Sequence, residues 1–423
     1  MLYLKFRIDF YLLILNQHTV LFIKIRLKIM SDTPSSNNNK DALPSDAAED
    51  VYDLAISARE ETETCRKIAP IVVKKLSALS LFRMGLPKSL GGWQGNPVET
   101  LKAYETLASA EASVSWIVWN NHLACTFGRF LDEPSMQEIY SDPSHVYANS
   151  ARPEGVAKQT AEGYTVSGQW TLVSGCELAD WFVLRCLVIS EGSPTTLGPG
   201  ANLKLFFIPK EDVEVIDTWH VGGLNGTGSH DIVVKNAFVK SDYAVGFDSP
   251  VAIDNAYNRL PIGCINAAGC AAMALGVLKA ATDELIQICL EKVTPGKSPD
   301  LRDRAAVQAT IAKSKTLLAS RRVQLHNSVE VIWDAAQQQN SFTDIQLADV
   351  WAAACEAARE ARAMISEIYA VAGTVSLYKK HRIERAHRDI HAILQHGIIQ
   401  PHWMDQAGMA YVGLTPNAAM FRV

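Results

Sequence analysis

Apolar residues recur at helical spacing through the first part of the chain and predict a set of packed helices. Val51, Leu54 and Ala58 lie three or four positions apart, the spacing that places side chains on one face of a helix. Two further helices are predicted over Thr100–Ala112 and Val114–Arg129. The second is apolar on almost every side, which is typical of a helix buried inside a protein.

The pattern changes to β-rich runs between about Val146 and Phe247. Apolar and aromatic stretches such as DWFVLRCLVI and DIVVKNAFV are separated by Gly, Pro and Asp turns, with no helix-length pattern among them. This part of the sequence predicts a small all-β domain, either a barrel or a sandwich.

Helical spacing returns after about Asp254 and continues to the C-terminus. Alanine is abundant here, and small side chains let helices approach closely, so a four-helix bundle is predicted. The four long segments are Leu260–Leu290, Asp300–Gln339, Thr343–Gly373 and Leu377–His396.

The first 46 residues do not match the rest of the chain. Residues 1–30 are apolar and basic, but their longest clean apolar run, Phe10–Leu15, is far too short to span a bilayer. One interpretation of residues 1–30 is a weak membrane-surface anchor. The preferred interpretation is that the residues before Met30 are a translated upstream stretch and that the protein starts at Met30. Residues 31–46 are polar and cannot bury enough surface to order themselves.

These patterns together predict an α+β protein that is mostly α, with helices first, a β domain in the middle and a helix bundle last. A chain of 423 residues is too long for one ordinary core, so several domains are expected. The predicted divisions are a disordered extension over 1–46, an N-terminal helical domain over 47–145, a middle β domain over 146–248 and a C-terminal bundle over 249–423.

Composition and charge narrow the possible partners. The 48% of hydrophobic residues is a globular value, and a net charge of −5 with dispersed basic residues argues against nucleic acid. We also expect no membrane partner. The eight cysteines include no CxxC pair, so reduced, mostly buried thiols in a cytoplasmic protein are expected.

The stretch His381–Gly397 is dense in ionisable residues and lies between apolar helical segments. If Arg382–His396 is one helix, then Arg385, Asp389 and His396 share a stripe, and a histidine beside a carboxylate can hold or donate a proton near neutral pH. A solvated basic helix with a few i,i+4 pairs is the alternative. The pair His387 and His391 has no evident third ligand, so we predict no metal site.

Two further stretches have the composition of ligand-binding loops. The run Gly222–Gly228 fails as a dinucleotide motif because a strand follows it rather than a helix, but its amides and hydroxyls could face a ligand. Ser174 precedes a glycine at a strand end, where a hydroxyl can meet a planar ligand or simply form a turn. No G-x-S-x-G, H-E-x-x-H or P-loop motif occurs, which disfavours serine hydrolases, zincins and nucleotide hydrolases.

Five stretches, taken in order from about residue 50 to the C-terminus, resemble the acyl-CoA dehydrogenase superfamily. That resemblance implies a helical domain, a small middle β-barrel and a four-helix bundle, the same order that the patterns predict. The stretches are LFRMGLPKSLGG, LASAEASVSWIVWNN, SGQWTLVSGCELADWFVL, GLNGTGSHDIVVKNAFV and HRIERAHRDIHAILQHG.

The departures from the family pattern point to one branch of the superfamily. Family dehydrogenases commonly carry a glutamate base where this chain has His396, and a minority carry it where this chain has Asn258. Abstracting a proton α to a thioester needs a carboxylate-like base, so acyl-CoA dehydrogenation is doubtful. A histidine at the first position is similar to the flavin-dependent monooxygenases, such as the oxygenases of 4-hydroxyphenylacetate, indole and dibenzothiophene.

The resemblance implies specific catalytic roles for three residues. Such oxygenases bind reduced FMN or FAD, add O2 to the flavin C4a, and pass one oxygen atom from the hydroperoxide to a small aromatic or heteroaromatic substrate. His396 would manage the proton of the peroxide, and Ser174 would hydrogen-bond flavin N5. His122 would orient the substrate.

Binding residues and partners follow from the same resemblance. Ser150 and Trp119 would line the substrate side with His122, and a separate NAD(P)H:flavin reductase and a homotetramer are implied. The implied flavin contacts are Asn149, Ser174, Thr227, Gly228 and Ser229. The alternatives are a dehydrogenase-type flavoprotein that oxidises a thioester and a non-catalytic flavin- or acyl-binding module.

Overall fold

Among the described residues, the apolar pattern of the first third of the chain forms six α-helices, of which the fifth is almost entirely buried. In this computed structural model the described residues are 43–190, 196–198, 200–291 and 300–423. Helix α4 begins where Asn96 accepts a hydrogen bond from the Val98 N–H at 2.8 Å. The helices are α1 Pro44–Ser57, α2 Arg59–Thr64, α3 Pro70–Ala78, α4 Pro97–Ala110, α5 Ala112–Phe127 and α6 Glu133–Tyr140.

The β-rich runs pair into one sheet of seven strands among the described residues. Its order is β5-β6-β2-β1-β3-β4-β7, and the β1–β3 pair is parallel while the other pairs are antiparallel. The strands are β1 Tyr147–Gln159, β2 Gly163–Val173, β3 Trp181–Ile189, β4 Leu203–Pro209, β5 Val213–Ile216, β6 His230–Lys240 and β7 Ala244–Val245.

The C-terminal part is again helical, and helix α8 lies at its centre. Helix α8 is long and apolar enough to cross a membrane by composition, but most of it is buried against α4, α9, α10 and α11. It therefore serves as the core helix of the bundle. The helices are α7 Ala256–Arg259, α8 Ile262–Glu291, α9 Ala305–Gln337, α10 Asp344–Ala372, α11 Arg382–Ile393 and α12 His402–Tyr411.

The predicted fold class, mostly α with a β region between two helical regions, is confirmed. The predicted domain divisions stay predictions, since residues 43–423 form one compact unit. The predicted polar tail is too long by three residues, because α1 already begins at Pro44. The predicted start at Met30 lies outside the described residues.

Cysteine usage agrees with the sequence-based expectation of reduced thiols. All eight cysteines are free, and seven of them are buried. Burial raises the pKa of several of these thiols, among them Cys125 and Cys176 to about 12, so they remain protonated and unreactive.

Candidate functional site

His396 packs against two neighbouring tryptophan rings of helix α5, whose centroids are 4.9 Å apart. Its imidazole meets the indoles of Trp116 and Trp119 edge-on, with ring centroids 5.6 Å and 5.1 Å away. The two tryptophans are three residues apart and so project from the same face of the helix. The residue His396 is half-buried, and the indoles of Trp116 and Trp119 pack against its imidazole.

The protonation state of His396 follows from its surroundings. Burial lowers its pKa to about 4, and the positive charge of Arg152 contributes in the same direction, so the ring is neutral at neutral pH. Its Nδ1 accepts a hydrogen bond from the backbone N–H of Ile398 at 3.2 Å. The single ring proton is therefore on Nε2, which has no hydrogen-bond partner among the residues that the structure describes.

The stripe predicted along the last long helix is wrong at its end. Helix α11 stops at Ile393, and His396 instead caps a short 3-10 turn over Gly397–Ile399. Asp389 does not orient His396, because its carboxylate accepts the backbone N–H of Leu224 at 2.7 Å. Gly397 and the turn that follows redirect the chain, and helical periodicity cannot anticipate that change.

Ser174 occupies the predicted position directly after strand β2, and its hydroxyl is buried. Trp116 donates its Nε1–H to the Ser174 oxygen at 2.9 Å, so the indole that contacts His396 also contacts Ser174. The Ser174 hydroxyl lies 2.7 Å from that of Ser229, which lies 2.7 Å from the hydroxyl of Thr227. Thr227 in turn donates to the carbonyl of Leu224 at 2.8 Å.

This chain of hydroxyls can run in only one direction. Each hydroxyl has a single hydrogen, and Thr227 gives its hydrogen to the Leu224 carbonyl. Ser229 must then donate to Thr227, and Ser174 must donate to Ser229. Ser174 consequently has no hydrogen left for a ligand, but after accepting from Trp116 it keeps one lone pair free. Towards a bound molecule it is a hydrogen-bond acceptor.

The glycine-rich loop is more enclosed than its sequence suggests. The hydroxyls of Thr227 and Ser229 are buried and bond to each other rather than to solvent. Gly228 adopts the left-handed conformation, with φ of +49°, which lets the backbone turn between them. Of the predicted flavin contacts in this loop, Thr227 and Ser229 are linked by hydrogen bonds to the Ser174 hydroxyl.

Asn149 and Ser150 lie side by side on strand β1 and are both buried. Asn149 donates its side-chain amide to the backbone carbonyl of Asn120 at 2.8 Å, which ties β1 to helix α5. The side-chain oxygen of Asn120 itself is buried without a hydrogen-bond partner among the described residues. A buried acceptor of this kind is satisfied when a ligand or water donates to it.

His122 faces a different space from His396. Both of its ring nitrogens contact tyrosine hydroxyls, Nδ1 with Tyr104 at 2.5 Å and Nε2 with Tyr257. Burial lowers the pKa of His122 to about 3, so the ring is neutral. A narrow, mainly apolar cavity is lined by His122, Tyr104, Tyr257 and Trp119. Since Trp119 also contacts His396, one indole ring separates this cavity from His396.

Sequence reasoning missed three residues of this arrangement. Trp116 joins Ser174 to His396, and Tyr104 and Tyr257 occupy the nitrogens of His122. The spacing of Trp116 and Trp119 in an otherwise apolar helix was the available signal for the first. Nothing in the sequence pairs the tyrosines with His122, because they come from α4 and α7.

The residues around Ser174 and His396 fit a flavin ring. The described residues offer a hydrogen-bond donor at His396 Nε2 and an acceptor at Ser174, beside the indoles of Trp116 and Trp119. A planar heterocycle with both donors and acceptors on its edge complements such a set. No group of three or more metal-ligating side chains occurs in the described part of the chain.

Comparisons with known proteins agree with this geometry. Residues 268–401 match the family of the acyl-CoA dehydrogenase C-terminal domain. The chain is 25% identical to indole-3-acetate monooxygenase of Acinetobacter baumannii over 353 residues, which cover 82% of this chain and 87% of the relative. It is 34% identical to HsaA of Rhodococcus jostii, the oxygenase subunit of a flavin-dependent monooxygenase, over 44% of this chain and 48% of the relative.

The fold has a similar solved counterpart. The crystal structure of 3-HSA hydroxylase from Rhodococcus sp. RHA1 superposes with a TM-score of 0.83 over 90% of this chain and 99% of that one, at 23% identity. The predicted resemblance to the acyl-CoA dehydrogenase superfamily, and to the monooxygenases among its members, is confirmed.

Proposed function

We infer that this protein, a flavin-dependent monooxygenase with the acyl-CoA dehydrogenase fold, is the oxygenase component of a two-component system. It would take reduced FMN or FAD from a separate NAD(P)H:flavin reductase and hydroxylate a small aromatic or heteroaromatic compound. The observation that carries this proposal is the neutral His396, with its free Nε2–H, against a pair of indoles, one of which is hydrogen-bonded to Ser174.

The described residues would divide the work of such a site. When bound, reduced flavin would supply the electrons that activate O2, from which one oxygen atom would pass to the substrate. His396 would hold its proton on Nε2 and donate a hydrogen bond towards the reacting oxygen. Ser174 would accept a hydrogen bond from the flavin edge, and the indoles of Trp116 and Trp119 would exclude water.

The cavity beside Trp119 is the proposed substrate site. It is lined mostly by apolar side chains, with the His122 and tyrosine groups as its polar features. Tyrosine hydroxyls occupy both nitrogens of His122, so a phenol or indole would meet Tyr104 or Tyr257 or displace one of them. This adjusts the role predicted for His122, which would orient the substrate through the tyrosines.

Dehydrogenation of a thioester is the weaker alternative. His396 has a pKa of about 4 and is a poor base for a carbon acid. Asn258, at the other position where relatives carry a base, uses its side chain to accept from Gln94 at 3.1 Å and to donate to the Ile253 carbonyl at 2.9 Å. Neither residue offers a carboxylate to a substrate.

The test is rapid mixing of the protein, loaded with reduced FMN or reduced FAD, with oxygenated buffer. A transient absorbing species that precedes oxidised flavin, and products of phenols or indoles that gain one oxygen atom, would support the oxygenase. Oxidised flavin that forms in one step at the rate of free reduced flavin would contradict it. Bleaching of tightly bound oxidised flavin by an acyl-CoA would favour the dehydrogenase.

Assembly and location are further parts of the proposal. A homotetramer in the cytoplasm is proposed from the resemblance and from the free, mostly buried cysteines. Light scattering of the purified protein and fractionation of cells that produce it would test these two points separately.

A further inference from the structure

The loop that ends the hydroxyl chain is docked on helix α11 at three points. Arg388 donates to the Gly222 carbonyl at 2.6 Å, and Asp389 accepts the Leu224 N–H at 2.7 Å. Between them Gly223 lies so close to the helix that a Cβ there would come within 2.4 Å of the Arg388 carbonyl oxygen. Loop and helix therefore touch backbone to backbone.

Leu224 is held in a conformation that its side chain does not favour. Its φ is +53°, in the left-handed region that non-glycine residues rarely adopt. Its N–H is committed to Asp389, and its carbonyl accepts from Trp219 Nε1 at 3.2 Å and from Thr227. Asp389 holds the peptide group before the Leu224 Cα, and Trp219 and Thr227 hold the peptide group after it, so the loss of the Asp389 bond frees the strained φ to relax and the carbonyl to move.

The orientation of the Leu224 carbonyl decides the direction of the hydroxyl chain. With that carbonyl in place, Thr227, Ser229 and Ser174 each donate toward it, and Ser174 faces the site as an acceptor. Without this acceptor, the Thr227 hydroxyl can donate to Ser229 instead, and the direction of the hydrogen bonds from Thr227 to Ser174 can reverse. Ser174 would then present a hydrogen instead of a lone pair.

We propose that Asp389 is a positioning residue that acts through Leu224 to keep Ser174 a hydrogen-bond acceptor towards the flavin. The identity of the ligand as a flavin rests on the proposed function. The contacts that lead from Asp389 to Ser174 do not depend on it. Asp389 touches none of the expected reacting atoms, and Leu224, Thr227 and Ser229 transmit its effect to Ser174.

Asp389 can accept the Leu224 N–H whether its carboxyl group is protonated or ionised. It is buried, and Arg385 and Arg388 on its own helix and Glu111 at the start of α5 face it. Burial, together with Glu111, raises its pKa to about 7, against the opposing effects of the Leu224 N–H and the two arginines. An oxygen of either protonation state can accept the Leu224 N–H, as an asparagine oxygen can.

The first experiment needs no flavin. The indole N–H resonance of Trp116, assigned through Trp116→Phe, reports its hydrogen bond to Ser174 in ¹⁵N-tryptophan-labelled protein. We expect Asp389→Ala and Gly223→Ala to shift this resonance, and Asp389→Asn to leave it nearly unchanged because the amide oxygen still accepts from Leu224. Ile390→Val, a buried neighbour on the same helix, is the matched control for a loss of packing alone. An unchanged resonance in both alanine variants would overturn the positioning role.

The second experiment measures hydrogen peroxide released when protein loaded with reduced FMN meets O2. We expect roughly tenfold faster release in Asp389→Ala, the effect of one hydrogen bond to a charged group, and release within about twofold of the unmodified rate in Asp389→Asn. Ser174→Ala combined with Asp389→Ala should release peroxide no faster than Ser174→Ala alone, since both act on the same contact. Multiplied effects in the double variant would overturn the inference.

The two experiments separate the two proposals. A Trp116 resonance that responds to Asp389→Ala supports the positioning role, even if the unmodified protein releases peroxide as fast as free reduced flavin and the proposed function fails. The opposite result is slower peroxide release from the unmodified protein than from free reduced flavin, with a Trp116 resonance that does not respond to Asp389→Ala. That result leaves the proposed function standing and overturns the role of Asp389.

Discussion

Trp116 donates its indole Nε1–H to the hydroxyl of Ser174 at 2.9 Å, and the same indole meets the imidazole of His396 edge-on. One side chain of helix α5 thus joins the end of strand β2 to the turn that follows helix α11. The predicted catalytic pair Ser174 and His396, more than 200 positions apart in the sequence, is brought together through a residue that was not predicted.

Replacing Trp116 by Phe should weaken this link while keeping an aromatic ring beside His396. Ser174 loses one hydrogen bond, which is typically about 0.5–1.5 kcal/mol. We expect a two- to tenfold rise in hydrogen peroxide release during turnover, measured with a peroxide-specific assay. Trp351→Phe, which removes a buried indole donor to the Phe421 carbonyl in the bundle, should lower the melting temperature without this leak.

Ser174→Ala should have the larger effect. It removes the acceptor that faces the site and leaves the Trp116 N–H without a partner, so peroxide release should rise roughly tenfold or more, from about 1.5–3 kcal/mol per lost bond to a partly charged group. Ser314→Ala breaks a buried hydroxyl pair with Thr282 elsewhere and is the matched control. If the Ser174 variant and the unmodified protein release hydrogen peroxide equally fast, Ser174 does not belong to the site.

Substitutions of His396 separate the two enzyme hypotheses. His396→Ala should slow the oxygen reaction or the hydroxylation, because the Nε2–H donor is gone, while reduced-flavin binding stays within a few-fold. His396→Glu should not rescue hydroxylation. Stopped-flow absorbance measures both, and His391→Ala on the exposed side of α11 is the control. Acyl-CoA oxidation gained by His396→Glu, with no oxygen intermediate in the unmodified protein, would reverse the assignment.

His122 should make the fold sensitive to acid. Burial lowers its pKa to about 3 from an ordinary 6.5, so below pH 6.5 the unfolded chain binds a proton that the folded protein refuses. Stability should therefore fall as pH falls, and by pH 4 this one group should cost on the order of 3 kcal/mol. Urea unfolding at pH 7 and pH 4 measures the loss.

The matched substitution for this acid effect is His122→Gln, which keeps hydrogen-bonding groups but does not titrate. Its free energy of unfolding should fall less between pH 7 and pH 4 than that of the unmodified protein. His402→Gln on the surface of α12 should leave the unmodified pH dependence in place. Parallel curves for the His122 variant and the unmodified protein would show that His122 does not carry the effect.

Truncation should locate the true start of the folded unit. We expect deletion of residues 1–42 to leave the melting temperature unchanged, because their sequence has no contiguous packing face. Deletion of residues 1–48 should lower it, since it removes Pro44, Ala47 and Ala48, which are buried, and the bond from Ser45 to Glu99 at 2.6 Å. Differential scanning calorimetry distinguishes the two, and a loss of folding in the shorter deletion would refute the prediction.

Local periodicity was sufficient for the fold class and for most of the elements. The apolar helix predicted over Val114–Arg129 is α5, and the run DIVVKNAFV lies within β6. Both patterns arise because side-chain spacing along one element decides which face can be buried, and that spacing is written in consecutive residues. The resemblance placed Ser174 and His396 for the same reason, through short stretches of sequence.

Tertiary structure alone decided what these residues touch. Helical spacing put Asp389 beside His396, but the chain leaves the helix after Ile393 and Asp389 turns to Leu224. The partners of His122 come from α4 and α7, and the direction of the hydroxyl chain depends on one backbone carbonyl. Hydrogen bonds of this kind join residues far apart in sequence, so they are fixed only when the whole core packs and each buried polar group finds a partner.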